Sequence, residues 1–356
     1  MKPHWPNWLR FERVFFAVAL LLPLVAWPGG SLEGYATQMT IVFIYAILAL
    51  GLNVVVGYTG LLNLGIAAFF GIGVYLTGIV TVPSYPFQFG FFAAMAIATL
   101  GAAAAGLLLG APTLRLRGDY LAIVTLGFGE VVRFTLRNLD SITAGTRGLN
   151  PVPPPNMPEW FAQGLAAVGF VPNWMADYRL FYYLALFVLI AVVLLLTNLE
   201  HSRLGRAWVA VREDELAAVC MGINAARVKL SAFALGAGLA GMAGCLYATY
   251  LTSTAQPDAF DFNRSIIVLC CVILGGLGSI RGTLLGVLLL IGFEMIFAPW
   301  IDGLIQQANI NPNNNALLTF SNWKLAIFGL ALILMMRFRP EGLLPSSRVQ
   351  RELQNT

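Results

Sequence analysis

The chain has 356 residues, of which 58% are hydrophobic and 11% charged, with a formal net charge of +4. Soluble domains average about a quarter charged residues, so a normal solvated surface is excluded and an all-α, polytopic transmembrane helical bundle is expected. Cys220, Cys245, Cys270 and Cys271 fall in or beside apolar runs without disulfide or zinc spacing and read as small packing residues.

Lys2, Arg10 and Arg13 precede an apolar run at 14–27. A basic start and an apolar middle also describe a signal peptide, and Gly29-Gly30-Ser31 keeps cleavage open. No convincing small-x-small site ends the run, so it is taken as a retained first span. Further apolar segments follow at 37–56, 61–82, 87–109, 120–136, 178–199, 230–251, 265–277, 283–298 and 324–336. Together they predict about ten membrane segments. Several are shorter than the ~20 residues a straight helix needs, which leaves tilt, broken helices and re-entrant geometry open. The organisation expected is one transmembrane domain over 1–340, with a polar loop at 200–229 and a long connection at 138–177, then a tail at 341–356.

Charge asymmetry orients this topology. If all ten segments span and the N-terminus is cytoplasmic, fifteen of the 21 basic residues fall inside, among them Arg115, Arg117, Arg203, Arg206, Arg212, Arg227, Lys229 and Arg281. The outer connections hold only Arg147, with a few more at or near outer span ends. That bias places the 204–229 loop and both termini in the cytoplasm. The outer connections are acidic, with Glu33, Asp140, Glu159, Asp177, Asp258, Asp261 and Asp302, which suits a docking partner but is also what a weak positive bias tolerates. The 138–177 connection has Gly and Pro at turn positions and Trp160 and Trp174 suited to a membrane interface; a lid or docking loop and a plain surface connector both fit.

Two stretches are rich in small residues: Gly57, Gly60, Asn63 and Gly65 in the first, Gly275, Gly276 and Gly278 in the second. Such residues let helices approach closely, and where glycines cluster they break a helix and free backbone groups to face a translocation pathway. Close packing is the plainer of these two readings. Charges within the spans are few: Glu130 with Arg133 forms a same-face pair, and Glu294 has no basic neighbour in sequence. Two scattered acids make a poor proton relay.

The 204–229 loop predicts a short helix of about two turns. Its acids Glu213, Asp214 and Glu215 suit a first turn, Leu216, Ala217 and Ala218 form a small apolar middle, and Gly222 suits a left-handed C-cap. The pattern approaches the E-A-A-x-x-x-G loop by which ABC importer permeases dock on an ATPase, with Leu216 where the first Glu would stand; an ordinary amphipathic connector fits it too. Enzymatic readings fare worse. The histidines, His4 and His201, lie outside the spans, and no G-x-x-x-x-G-K-[ST] occurs, so no catalytic or metal site is expected and any ATPase must reside on another subunit.

The blocks GYTGLLNLGIAAFFGIGVYLTGIV (57–80), LRLRGDYLAIVTLGFGEVVRFTLRNL (114–139), TAGTRGLNPVP from 143, LGRAWVAVREDELAAVCMGIN (204–224), KLSAFALGAGLAGMAGCLYA (229–248) and ILGGLGSIRGTLLG (273–286) resemble, in order, the LivM-type permeases of branched-chain amino acid ABC importers. The resemblance implies a bacterial inner-membrane location (or an archaeal plasma membrane), a second permease of the LivH type, two ATPases of the LivG and LivF types and an extracytoplasmic substrate-binding protein. ATP and Mg would sit on the ATPases, with no cofactor on this chain and no nucleic acid partner. Ile66 stands where that family usually has His, so no role of that position is carried over. Permeases for urea or short amides are closely similar, and a stand-alone channel or secondary transporter is the more distant alternative.

Overall fold

Apolar runs that cannot hydrogen-bond to solvent close their backbone bonds internally, and the described residues form helices and no strand. A computed structural model of the chain describes residues 32–113, 119–155, 178–307, 320–339 and 341–344. The expected first span at 14–27, Arg115 and Arg117, the interfacial Trp160 and Trp174, and the tail beyond 344 lie outside the described residues.

The helices are α1 (Leu32–Asn53), α2 (Ile66–Thr81), α3 (Phe91–Thr113), α4 (Asp119–Asn138), α5 (Tyr178–Glu200), α6 (Arg203–Glu213), α7 (Glu215–Cys220), α8 (Ala225–Leu251), α9 (Phe262–Gly275), α10 (Ile280–Gly292), α11 (Ala298–Gln307) and α12 (Lys324–Phe338). Among the described residues, five stretches are long and apolar enough to cross a membrane: Thr37–Tyr58, Phe91–Thr113, Arg179–Glu200, Ala225–Leu251 and Ile280–Gly303. Helix α2, with 16 residues, is apolar but shorter. Helix α4 is long enough, yet it carries Glu130, Arg133 and Arg137.

Three expected boundaries change. The helix expected at 61–82 starts only at Ile66, because residues 60–65 lie outside any helix. Before it, α1 ends in a π-helical turn, Val54–Tyr58. A second π turn, Phe293–Phe297, joins α10 to α11. Glycines at 57 and 60 foreshadow the first break, and Gly292 and Pro299 flank the second.

Helix α8 is the hub, packed mainly on α3, α2 and α1. In an apolar medium helices gain little from burying each other's apolar faces, so association depends on close van der Waals fit through small residues. Here each neighbour meets a different glycine. A Cβ on Gly236 would come within 2.7 Å of the Gly51 carbonyl of α1, one on Gly241 within 2.5 Å of the Ala98 carbonyl of α3, and one on Gly244 within 2.4 Å of the Phe70 carbonyl of α2. Helix α1 is in turn buried from Val42 to its end, whereas α3 exposes Leu100 and Leu108.

The other end of α8 meets the start of the 138–177 connection. Leu149 N–H donates to Thr254 Oγ1 at 2.7 Å, and Val152 N–H donates to the Thr252 carbonyl at 2.9 Å. Leu149 and Val152 are buried, so this part of the connection is packed structure. Arg133 pairs with Glu130 at 2.7 Å, as their spacing predicts, and also with Asp258 at 2.8 Å in the α8–α9 link. Glu294 has Arg264 of α9 within electrostatic reach, a neighbour thirty residues away that local sequence does not reveal.

Gly241→Leu places a branched side chain where backbone already lies. Overpacking of this kind costs about 1–3 kcal/mol or more, and the expected result is a lower melting temperature of the purified protein in detergent. An unchanged melting temperature would contradict the placement of α8 against α3.

Candidate functional site: the polar loop and the glycine junction

The polar loop contains two helices where sequence predicted one. Ser202 starts α6, its Oγ accepting from the N–H groups of Leu204 and Gly205, both at 3.2 Å. The buried face of α6 consists of Gly205, Trp208 and Val211, at helical spacing. Trp208 is 1% exposed. Its indole N–H donates to the Val228 carbonyl at 3.1 Å and to Ser231 Oγ at 3.0 Å, while its ring stacks on Tyr58 with centroids 6.2 Å apart. One side chain thus fastens α6 to the start of α8 and to the π turn of α1.

Asp214 separates the two helices. It is extended and closes α6, and its carboxylate accepts from Leu216 N–H at 2.8 Å and Ala217 N–H at 3.0 Å to open α7. This corrects the expected acidic first turn: Glu213 is the last residue of α6, Asp214 is the cap, and Glu215 alone stands in the first turn of α7. The expected C-cap is present. Gly222 has φ +83°, its N–H donates to the Val219 carbonyl at 2.9 Å, and Ile223 N–H donates to the Ala218 carbonyl at 3.0 Å, a Schellman arrangement.

Helix α7 is held from beneath. Lys229 Nζ of α8, itself buried, donates to Glu215 Oε1 at 2.7 Å, and Ala218 packs with Val211 and Ala225. The opposite face is bare: Leu216 is 72% exposed, Val219 52% and Met221 83%, with Ala217 and Cys220 exposed beside them. Cys220 thereby departs from the packing role expected of it, while Cys245, Cys270 and Cys271 are buried.

The two glycine stretches, far apart in sequence, meet directly above α6. Asn53 Oδ1 accepts from Gly278 N–H at 2.9 Å, and a Cβ on Gly57 would lie 2.5 Å from Gly278 N. Gly60 (φ +69°) and Gly278 (φ +73°) take the left-handed conformation at the two breaks. Asn63 is buried, and its Oδ1 accepts from Gly65 N–H at 2.9 Å. Thr125 of α4 takes the Leu64 N–H at 3.0 Å, and Ser265 of α9 takes the Ala67 N–H at 3.1 Å. Gly275 lies against Gly282 of α10, and Gly276 lies against Gly342, where the Leu343 and Leu344 N–H groups donate to the Leu274 and Gly275 carbonyls, both at 3.0 Å.

Close packing therefore accounts for Gly57, Gly65, Gly275, Gly276 and Gly278. A small cleft beside the non-helical segment is lined by Leu64, Ala67, Glu130, Asp261 and Ser265 among others. Sequence reasoning missed Trp208 and Arg212 as structural members of the loop, although their i, i+4 spacing in an otherwise polar stretch was a signal of an anchored helix face.

Comparison with known proteins fits this architecture. The family model for the permease component of branched-chain amino acid transport systems matches residues 34–336. The chain is 39% identical over 357 residues to the high-affinity branched-chain amino acid transport system permease protein LivM of Escherichia coli (strain K12), covering 97% of this chain and 78% of the relative. It is 24% identical over 340 residues to a probable branched-chain amino acid transport permease protein LivM of Methanocaldococcus jannaschii, covering 86% and 92%. With the E. coli K12 permease protein LivH it shares 27% identity over 256 residues, covering 69% and 79%. No solved structure matches. The capped loop and broken helices are thus found in a chain that belongs to the family of permease components of branched-chain amino acid transport systems.

Proposed function

We propose that this chain is one of two unlike permease subunits of an ATP-driven importer that moves leucine, isoleucine and valine across the bacterial inner membrane. The observation that carries the reading is the face of α7: Leu216, Val219 and Met221 are exposed together on a helix fixed by Asp214, Gly222 and the Glu215–Lys229 pair. An apolar patch presented by a rigid polar loop suits a groove on another protein. The occupant proposed is an ATPase subunit of the LivG or LivF type, which supplies ATP and Mg; this chain binds no cofactor. A LivH-type permease completes the pore, and an extracytoplasmic binding protein delivers substrate.

About ten segments cross the membrane with both termini cytoplasmic, and 1–340 act as one domain followed by the tail at 341–356. The distribution of basic residues supports that orientation. ATP binding and hydrolysis shift α7, and the spans rock between outward- and inward-facing states. The pathway runs along the broken segments, with Gly57, Gly60, Asn63, Gly65, Gly275, Gly276 and Gly278 setting where the helices part. The cleft at Leu64, Glu130 and Ser265 is its narrow part. There, helix-end amides and carbonyls meet a zwitterion and apolar walls meet its side chain.

Vesicles containing this chain with the products of its neighbouring genes are expected to accumulate labelled leucine only with ATP. Urea accumulation in its place would keep the machine and change the cargo, and ATP-independent uptake by the chain alone would contradict the proposal. Leu216→Glu, at an exposed position, should leave the folded yield unchanged yet weaken ATPase co-purification by about tenfold or more, the scale of losing one interface anchor. Normal recovery of both ATPases with that variant would remove α7 as the docking helix.

A further inference from the structure

Arg212 stands at the end of α6, two residues before the Asp214 cap that starts α7. Its guanidinium does not serve an acidic partner in the loop; Nη1 donates to the Gly57 carbonyl inside the π turn. That carbonyl belongs to the turn in which α1 leaves regular α-helical bonding. The stem of Arg212 lies against Gly60, where a Cβ would sit 3.1 Å from Arg212 Cγ, and the guanidinium lies 3.6 Å from the Cβ position of Gly278. Gly278 in turn is bonded to Asn53 and touches Gly57. A single side chain of the polar loop therefore touches both helix breaks.

The rest of the loop makes this contact mechanically useful. Helices α6 and α7 share Asp214 as cap, Trp208 locks α6 to α8, and Lys229 locks α7 to α8. A displacement of α7 has few soft joints through which to dissipate before it reaches Arg212. A guanidinium with several donors in a rigid fork transmits such a displacement to a backbone carbonyl better than a lone ammonium on a flexible stem. We infer that Arg212 is a positioning residue that transmits movement of the docking helix to the Gly57–Gly278 junction, and so links ATP hydrolysis to opening of the pathway.

This inference rests on the importer reading above. Its test is the number of ATP molecules hydrolysed per leucine accumulated by the complete complex in vesicles, for wild type, Arg212→Met and Arg212→Lys. Met keeps the apolar stem against Gly60 and removes the donor. The expected outcome for Arg212→Met is normal co-purification of the ATPases, hydrolysis near the wild-type rate, and a rise of about tenfold in ATP used per leucine, within the span of typical coupling free energies. Arg212→Lys should rise less, by roughly threefold, since it keeps the charge and one donor.

A purely structural role predicts instead that assembly, hydrolysis and uptake fall together with their ratio unchanged, and that result overturns the inference. If Arg212→Met fails to assemble, the Lys variant decides: an unchanged ratio there overturns it equally. Failure of the wild-type complex to accumulate leucine with ATP would strike the importer reading itself, whereas wild-type coupling retained in both variants strikes only Arg212.

Discussion

Between Tyr58 and Ile66 the backbone leaves helical bonding within an otherwise apolar bundle. Freed N–H and C=O groups in such a place cost several kcal/mol each unless partners are found. The polar residues of the interior are placed to meet that demand: Asn63 for Gly65, Thr125 for Leu64, Ser265 for Ala67, and Arg212 for Gly57. These partners come from the non-helical segment itself, from α4, from α9 and from the polar loop. The break is therefore also the point at which those elements are held to one another.

Close helix approach makes this possible. Gly57 against Gly278, and Gly275 against Gly282, bring backbones near enough that a single Asn side chain, Asn53, reaches across. The same small-residue logic sets α8 at the centre of the bundle. At its loop end α8 also receives Trp208 from α6, and its own Lys229 holds Glu215 of α7. The loop is thus an extension of the packed bundle, with one exposed apolar face left on α7.

Short-range signals are legible in the sequence. Asp214 and Gly222 cap a helix by interactions spanning a few residues, so α7 and its ends were legible, even though Glu213 was assigned to the wrong helix. Glu130 and Arg133 are likewise neighbours on one turn. What stayed hidden depends on contacts across long separations. Thr125 meets Leu64 across 61 positions and Ser265 meets Ala67 across 198, so beyond the local Asn63–Gly65 bond the partners of this non-helical stretch cannot be read from its neighbourhood. Asp258 joins the Glu130–Arg133 pair only through the fold. Helix α6 was submerged in a loop read as polar, because its anchoring face is just Gly205, Trp208 and Val211.

In the proposed importer, α7 faces the cytoplasm and is covered by an ATPase. Cys220 is exposed on that helix whereas Cys245, Cys270 and Cys271 are buried, so a membrane-impermeant maleimide reports on α7 without any engineered residue. In sealed vesicles of known orientation, Cys220 should be labelled from the cytoplasmic side alone, and assembly with the ATPases should slow its labelling strongly. Labelling from the opposite side, or at a rate indifferent to the ATPases, would contradict the account.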